Sequence, residues 1–279
     1  MKSILVPIDF SKDSINALEH AIHLANKLNS NLRIIHVRKD KNYDQPFIID
    51  GKEKAYSKTV EEFCMELLGK YRTKYTADGF FNFVIKTGKI YKAVSEQALL
   101  DKSYLIIMGT HGVSGFEEFW LGSNSYRVVC KAPCPVLTVR HGFKKLNISK
   151  IVLPIDAHRE TRIKVPITAE LAGVLGAEVH VVSVRSTTRA DIVKRLKNYA
   201  SQTSDYLNGL GIHTVTAELI GSSIADITYT YAVHSGAELI TIVSNQRGTP
   251  VNMGISSTAQ QMVNHSPIPV LSIHPSYSK

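Results

Sequence analysis

The chain has 279 residues, with 33 Lys and Arg against 24 Asp and Glu for a formal charge of +9; 44% hydrophobic and 20% charged residues exclude a disordered or fibrous protein. Its length exceeds one α/β domain of roughly 100 to 200 residues, so two domains are expected. The basic residues are scattered, with no aromatic-interleaved stripe, which argues against a nucleic-acid partner, and no apolar run approaches the ~18 residues of a membrane span.

In chain order, short apolar runs alternate with helical patterns, the order of a βαβ fold with a parallel sheet. Strands are predicted at 3–8, 32–38, 81–86, 104–109 and 135–140. Between the first two, Ile15, Leu18, Ile22, Ala25 and Leu28 recur at steps of three and four, giving a helix with one apolar face and Ser11 as N-cap. Further helices are predicted at about 53–76, 90–101 and 123–131. The basic, glycine-containing stretch 141–147 reads as a linker.

The second half repeats the scheme, with strands near 150–155, 178–184, 214–220, 238–243 and 270–274 and helices near 162–175, 190–210, 222–235 and 256–265. Pro166 should start the first of these helices late or kink it. The repeat is also literal. SILVPID at 3–9 returns as SKIVLPID at 149–156, and APCPVLTVR at 132–140 as SPIPVLSIH at 266–274, so the chain is a duplication with domains expected at 1–141 and 148–279.

The start of the chain reaches Asp9 too soon for a signal-peptide core, and the three cysteines form no disulfide framework, so a cytoplasmic protein with reduced thiols is expected. Cys130 and Cys134 have the spacing of neither a zinc knuckle nor a redox pair.

Chemistry concentrates after the fourth strand. Met108, Gly109, Thr110, His111 and Gly112 lead to Gly122, Ser123, Asn124 and Ser125, a G-x2-G-x9-G-S pattern that opens a helix. Glycines allow close backbone approach, and a helix N-terminus presents unpaired N–H groups and a favourable dipole, so phosphate is the expected guest. The loop leaves the carboxyl end of a strand, and so does Asp9, where ligands of such folds sit. Helix capping is the alternative reading of Asp9. Gly109 and Gly122 are both expected to serve ligand approach more than packing. No Walker-type loop and no Ser/His/Asp or Cys/His arrangement is present, which leaves at most a slow ATPase and no assigned catalytic residue.

VPIDFS, IIHV, MGTHG, GSNS and APCPVL together resemble the universal stress protein (UspA) family, in its ATP-binding branch, and the resemblance covers nearly the whole chain in two copies. It implies two tandem doubly wound, Rossmann-like α/β domains of the adenine nucleotide alpha hydrolase type, each a five-stranded parallel sheet in order 3-2-1-4-5. It further implies ATP as cofactor, with Pro7, Ile8, Asp9 and Val37 around the base. Met108, Gly109, His111 and Gly112 would approach ribose and phosphates, and Gly122, Ser123, Asn124 and Ser125 would hold phosphates. Mg²⁺ or Mn²⁺ would bind through the phosphates, since the loop offers only Glu117 and Glu118, read as solvated charges. Single-domain relatives pair through their last strand, so 135–140 and 269–274 are expected side by side in a pseudo-dimer within the chain; a homodimer of whole chains stays open.

Pro133 and Pro267 set an offset of 134 (267 − 133), which places Val243, Gln246 and Ser256 where Gly109, Gly112 and Gly122 stand. Asp156 survives in the second copy, but the motif glycines do not, so only the first domain is expected to bind ATP. The expected function is a stress-response regulator or signalling module that holds ATP. A slow hydrolase or autophosphorylating enzyme using the same pocket, and a purely structural partner-binding module, are the alternatives.

Overall fold

The computed structural model of the chain describes residues 1–38, 48–49, 52–53, 59–110, 122–244 and 256–277. It divides into two compact units, Met1–Leu146 and Asn147–Lys279.

The first unit begins with β1 (Ser3–Pro7), α1 (Lys12–Leu28) and β2 (Asn31–Arg38). Two short strands, β3 (Ile48–Ile49) and β4 (Lys52–Glu53), pair antiparallel with each other apart from the main sheet. Then follow α2 (Val60–Tyr71), β5 (Phe81–Thr87), α3 (Ile90–Leu100), β6 (Leu105–Gly109), α4 (Ser123–Lys131) and β7 (Val136–Val139). The pairings among the other five strands are parallel and run β5-β2-β1-β6-β7, the order 3-2-1-4-5. Ile4, Leu5, Val6, Leu105, Ile106 and Ile107 are fully buried, as a parallel sheet covered by helices on both faces requires.

Ser11 caps α1, its hydroxyl accepting the Ser14 N–H at 3.2 Å. The helix expected from about 53 starts only at Val60. A reciprocal cap sets that start: the Thr59 hydroxyl oxygen accepts the Glu62 N–H at 3.3 Å, and the Glu62 carboxylate accepts the Thr59 N–H at 2.6 Å.

The second unit contains β8 (Lys150–Ile155), α5 (Val165–Leu175), β9 (Glu178–Arg185), α6 (Ala190–Gly209), β10 (Thr214–Ile220), α7 (Ile224–His234), β11 (Leu239–Val243), α8 (Ser257–His265) and β12 (Val270–Ile273). Its pairings, again parallel, run β10-β9-β8-β11-β12. Pro166 lies in the first turn of α5, where its missing N–H costs nothing, so the helix starts late and is not kinked.

The stretch read as a linker is fastened to α1. The Phe143 carbonyl accepts from Asn16 Nδ2 at 3.0 Å and lies 3.1 Å from His20 Nε2, and the Phe143 ring stacks on His20. His141 Nδ1 sits 2.5 Å from the buried Asp13 carboxylate, and Lys144 reaches Asn16 at 3.3 Å.

Gly109 ends β6 directly beneath the first turn of α1. A Cβ there would lie 2.9 Å from the backbone carbon, the carbonyl oxygen and the Cβ of Asp13. This corrects the expectation that Gly109 serves ligand approach more than packing: the helix needs that space. The second unit shows what happens otherwise. Val243 takes the position, and the stretch matching the start of α1, Arg159–Lys164, is a tighter 3-10 helix, with α geometry beginning only at Val165.

Substituting Gly109 with Val forces α1 off the sheet and is expected to cost about 2–3 kcal/mol or more, as overpacking does. Gly122→Ala meets only ordinary contacts, with Thr110 O at 3.4 Å, and is expected to melt near the parent temperature. Thermal denaturation of the two variants checks the contrast, and equal melting temperatures would refute it.

Candidate functional site

Parallel pairing of β1 with both β2 and β6 brings their carboxyl ends together, and with them the described candidates. Pro7, Ile8 and Asp9 leave β1, Val37 lies near the end of β2, and Met108 and Gly109 close β6. The start of α4 is drawn to the same edge by two bonds: the Gly122 N–H donates to Thr110 O at 2.9 Å, and the Ser125 hydroxyl donates to Gly109 O at 3.2 Å. Ser123 and Asn124 are exposed on the first turn of α4. His111, Gly112, Glu117 and Glu118 lie outside the described residues.

Asp9 is not the cap of α1. Its Oδ1 accepts the Ser11 N–H at 3.1 Å and the Ser11 hydroxyl at 2.6 Å, so it orients the residue that does the capping. Between them Phe10 takes a left-handed backbone, φ 64°, a conformation bulky side chains rarely adopt. Its ring is buried against His36, 5.2 Å between centroids, and Phe63, 5.7 Å. The strain holds the turn that presents Asp9 and is sustained by this burial.

His36 completes the support. Its Nδ1 is 2.8 Å from Ile8 O, and because a carbonyl only accepts, Nδ1 carries the proton. Burial pushes the His36 pKa below its ordinary 6.5, opposed chiefly by that bond to Ile8, so the ring is held neutral. Phe10, Asp13, His36 and Phe63 were all missed by sequence reasoning. His36 lies within the IIHV motif, next to Val37.

The phosphate end differs between units. In the first, Gly122 stands at the N-cap of α4 without a side-chain capping bond. A Cβ there would meet Thr110 O at 3.4 Å and Ser125 Oγ at 3.8 Å, so the described neighbours do not require glycine. In the second, the Ser256 hydroxyl accepts the Ala259 N–H at 3.3 Å and caps α8 from within. The loops are otherwise closed alike: Ser256 N–H donates to Ser244 O at 2.9 Å, as Gly122 does to Thr110. Asp156 repeats the turn of Asp9, accepting from the His158 N–H and the Thr161 hydroxyl, each at 2.8 Å. Near it, where α1 has Ala17, stands Lys164, buried, its pKa pushed down to about 8 by burial and partly restored by Asp156.

A model of the universal stress protein family matches residues 1–140 and again 147–274. The chain belongs to the universal stress protein family. This tandem universal stress protein is 32% identical over 143 residues to a universal stress protein of Methanocaldococcus jannaschii, covering 50% of the chain and 82% of the relative. A putative universal stress protein of Staphylococcus haemolyticus is 29% identical over 145 residues, covering 50% and 84%. Among solved structures, a universal stress protein from Archaeoglobus fulgidus matches over 98% of each chain with a TM-score of 0.74 at 19% identity. A putative universal stress protein from Pseudomonas aeruginosa matches over 98% of this chain and 93% of its own, with a TM-score of 0.72 at 17% identity. These likenesses show the tandem α/β fold. No described helix is long and apolar enough to cross a membrane.

Because the folded chain holds His36 and His20 neutral, their pKa values lie below those of the unfolded chain. Above about pH 6.5 both states are neutral and stability is unaffected. As pH falls from there through the folded values, the unfolded state binds protons first and stability is lost. Denaturant midpoints between pH 8 and pH 5 should fall, and His36→Gln should show a shallower fall. Parallel curves would deny His36 this part.

Proposed function

We propose that this chain is a stress-associated regulator that holds ATP in its first unit. The observation that carries the reading is the start of α4 at Gly122, which has no side-chain cap among the described residues and lies on the sheet edge that also carries Asp9. The N–H groups of a first helical turn, together with the helix dipole, favour a bound anion.

In this reading Asp9 accepts from the edge of the adenine base, and Pro7, Ile8 and Val37 line its faces. Met108, Gly109, His111 and Gly112 approach ribose and phosphates. The first turn of α4, from Gly122 through Ser123, Asn124 and Ser125, takes the phosphates. Mg²⁺ or Mn²⁺ would enter through phosphate oxygens. The residues that hold the turn are built for positioning: Phe10, His36 and Ser11 fix Asp9, and Asp13 fixes Gly109. Such a site meets the need of a regulator, which works through the difference in affinity between two states and not through turnover.

The second unit is proposed to bind no triphosphate. Ser256 caps its own helix from within, which removes the anion-binding feature the first unit offers at Gly122. It would then act as the fixed partner of the first unit within the chain.

Isothermal titration should give one ATP per chain, and two equivalent sites would overturn the reading. Gly122→Ser copies the cap of Ser256 and should weaken ATP at least about tenfold without unfolding the protein. Single-turnover measurement of ADP formation separates the regulator from an enzyme: hydrolysis within seconds favours the enzyme. EDTA should lower the affinity, and unchanged affinity would remove the metal from the proposal.

A further inference from the structure

At the amino ends of its strands, opposite the edge that carries Asp156, the second unit has a cavity of about 610 Å³. This lies within the range of small-molecule sites, roughly 300–1,000 Å³. Lys150 and Glu178 line it from the starts of β8 and β9, Gly173 and Gly176 from the end of α5, and the 210–213 connection from the end of α6.

In the first unit the chain itself covers the corresponding face. The longer 72–80 connection lies on three asparagines and a carbonyl. Asn26 Oδ1 accepts the Thr76 N–H at 2.8 Å, Asn29 Oδ1 the Asp78 N–H at 2.9 Å and Asn31 Oδ1 the Phe80 N–H at 3.0 Å, while Ser30 O accepts the Tyr75 hydroxyl at 2.7 Å. The offset that matches Asp9 to Asp156 turns Asn26, Asn29, Ser30 and Asn31 into Gly173, Gly176, Ala177 and Glu178. The second unit has thus lost both the covering loop and the side chains that held it. A carboxylate stands where Asn31 accepted an N–H.

Of the four acceptors that hold the first unit's loop, the second unit keeps a backbone carbonyl, at Ala177, and adds the Glu178 carboxylate. Charge agrees with geometry. The carbonyl ends of α5 and α6 carry partial negative charge. Glu178 and the buried Glu238 oppose Lys150, whose ammonium bonds Glu178 at 3.1 Å and Ser235 O at 2.7 Å. His180 Nε2, at 3.1 Å, and His213, at 3.3 Å, also touch the Glu178 carboxylate, and His213 is exposed at the rim. No three His, Cys, Asp or Glu residues among those described are placed to hold a metal ion. We propose that this cavity binds a small organic cation: an ammonium or guanidinium on an apolar or aromatic body, with its N–H groups on Glu178 and on the end carbonyls of α5 and α6. The site stands apart from the proposed ATP site and does not depend on it.

The test is a titration followed by backbone amide NMR at pH 8, above the ordinary histidine range. Tyramine is the probe, with 4-hydroxyphenylethanol and 4-hydroxyphenylpropionate as the neutral and anionic forms of the same body. Tyramine should shift amides of 172–178 and 210–214 and saturate; the alcohol should bind at least about tenfold more weakly, as expected when a charge-assisted bond is lost. Glu178→Gln should weaken tyramine by a similar factor. Gly173→Leu is the control that keeps the fold, because a Cβ there meets nothing within 4 Å and glycine is a poor helix former. It should fill the cavity and abolish the shifts. Absence of shifts at tens of millimolar tyramine, equal affinity for amine and alcohol, or shifts that persist in Gly173→Leu would each overturn the proposal.

Discussion

The first turn of α1 can lie on the end of β6 only because Gly109 has no side chain. That contact sets Asp13 against Gly109, and several other features follow from it. The Asp13 carboxylate, buried by the same packing, is reached by His141, so the chain leaving β7 is tied back to α1. Ser125 reaches the Gly109 carbonyl, so the start of α4 is positioned from the same point. A single missing methyl group thus joins the first helix, the start of α4 and the stretch after β7.

The second unit is an internal control for this account. It keeps the strand order, the Asp turn and the backbone bond that closes the loop after the fourth strand. It exchanges Gly109 for Val243, and the α-helix over the sheet starts at Val165, the position of Leu18, after a 3-10 segment. It exchanges Gly122 for Ser256, and the next helix caps itself. Neither change disturbs the sheet, because both lie at its carboxyl edge, where side chains answer to loops and ligands and not to strand pairing.

This explains how much was legible in the sequence. The parallel sheet followed from apolar runs alternating with helical periodicity, and its strand order from the family resemblance. Ser11 was legible as a cap from its place before the periodic run. Asp9, Gly109 and Gly122 were legible as a group because each follows a strand or opens a helix. Their separate physical roles were not. That Gly109 answers to Asp13, and that Phe10 accepts a left-handed backbone to cover His36, are facts about contacts between residues distant in sequence. Residue type alone does not encode them. The start of α2 was misplaced because the apolar pattern runs on across Thr59, while the stop is imposed by a capping pair, Thr59 and Glu62, that hydropathy does not register.

The two ends of the second unit have changed in opposite senses. At the carboxyl edge, an N–H group that an anion could have used is satisfied from within, by Ser256 on α8. At the amino edge, shortening one connection and replacing Asn26 and Asn29 with glycines removes the cover together with two of the acceptors it bonded, and leaves the Glu178 carboxylate beside an open cavity. Polar groups left uncovered next to apolar walls are costly unless water or a ligand meets them, whereas a self-capped helix end carries no such cost. Under the two proposals, the end of the sheet that meets a ligand differs between the units, with N–H donors used in the first and carbonyl and carboxylate acceptors in the second. The proposed ligand of the first unit's carboxyl edge is therefore an anion, and that of the second unit's amino edge brings donors and positive charge.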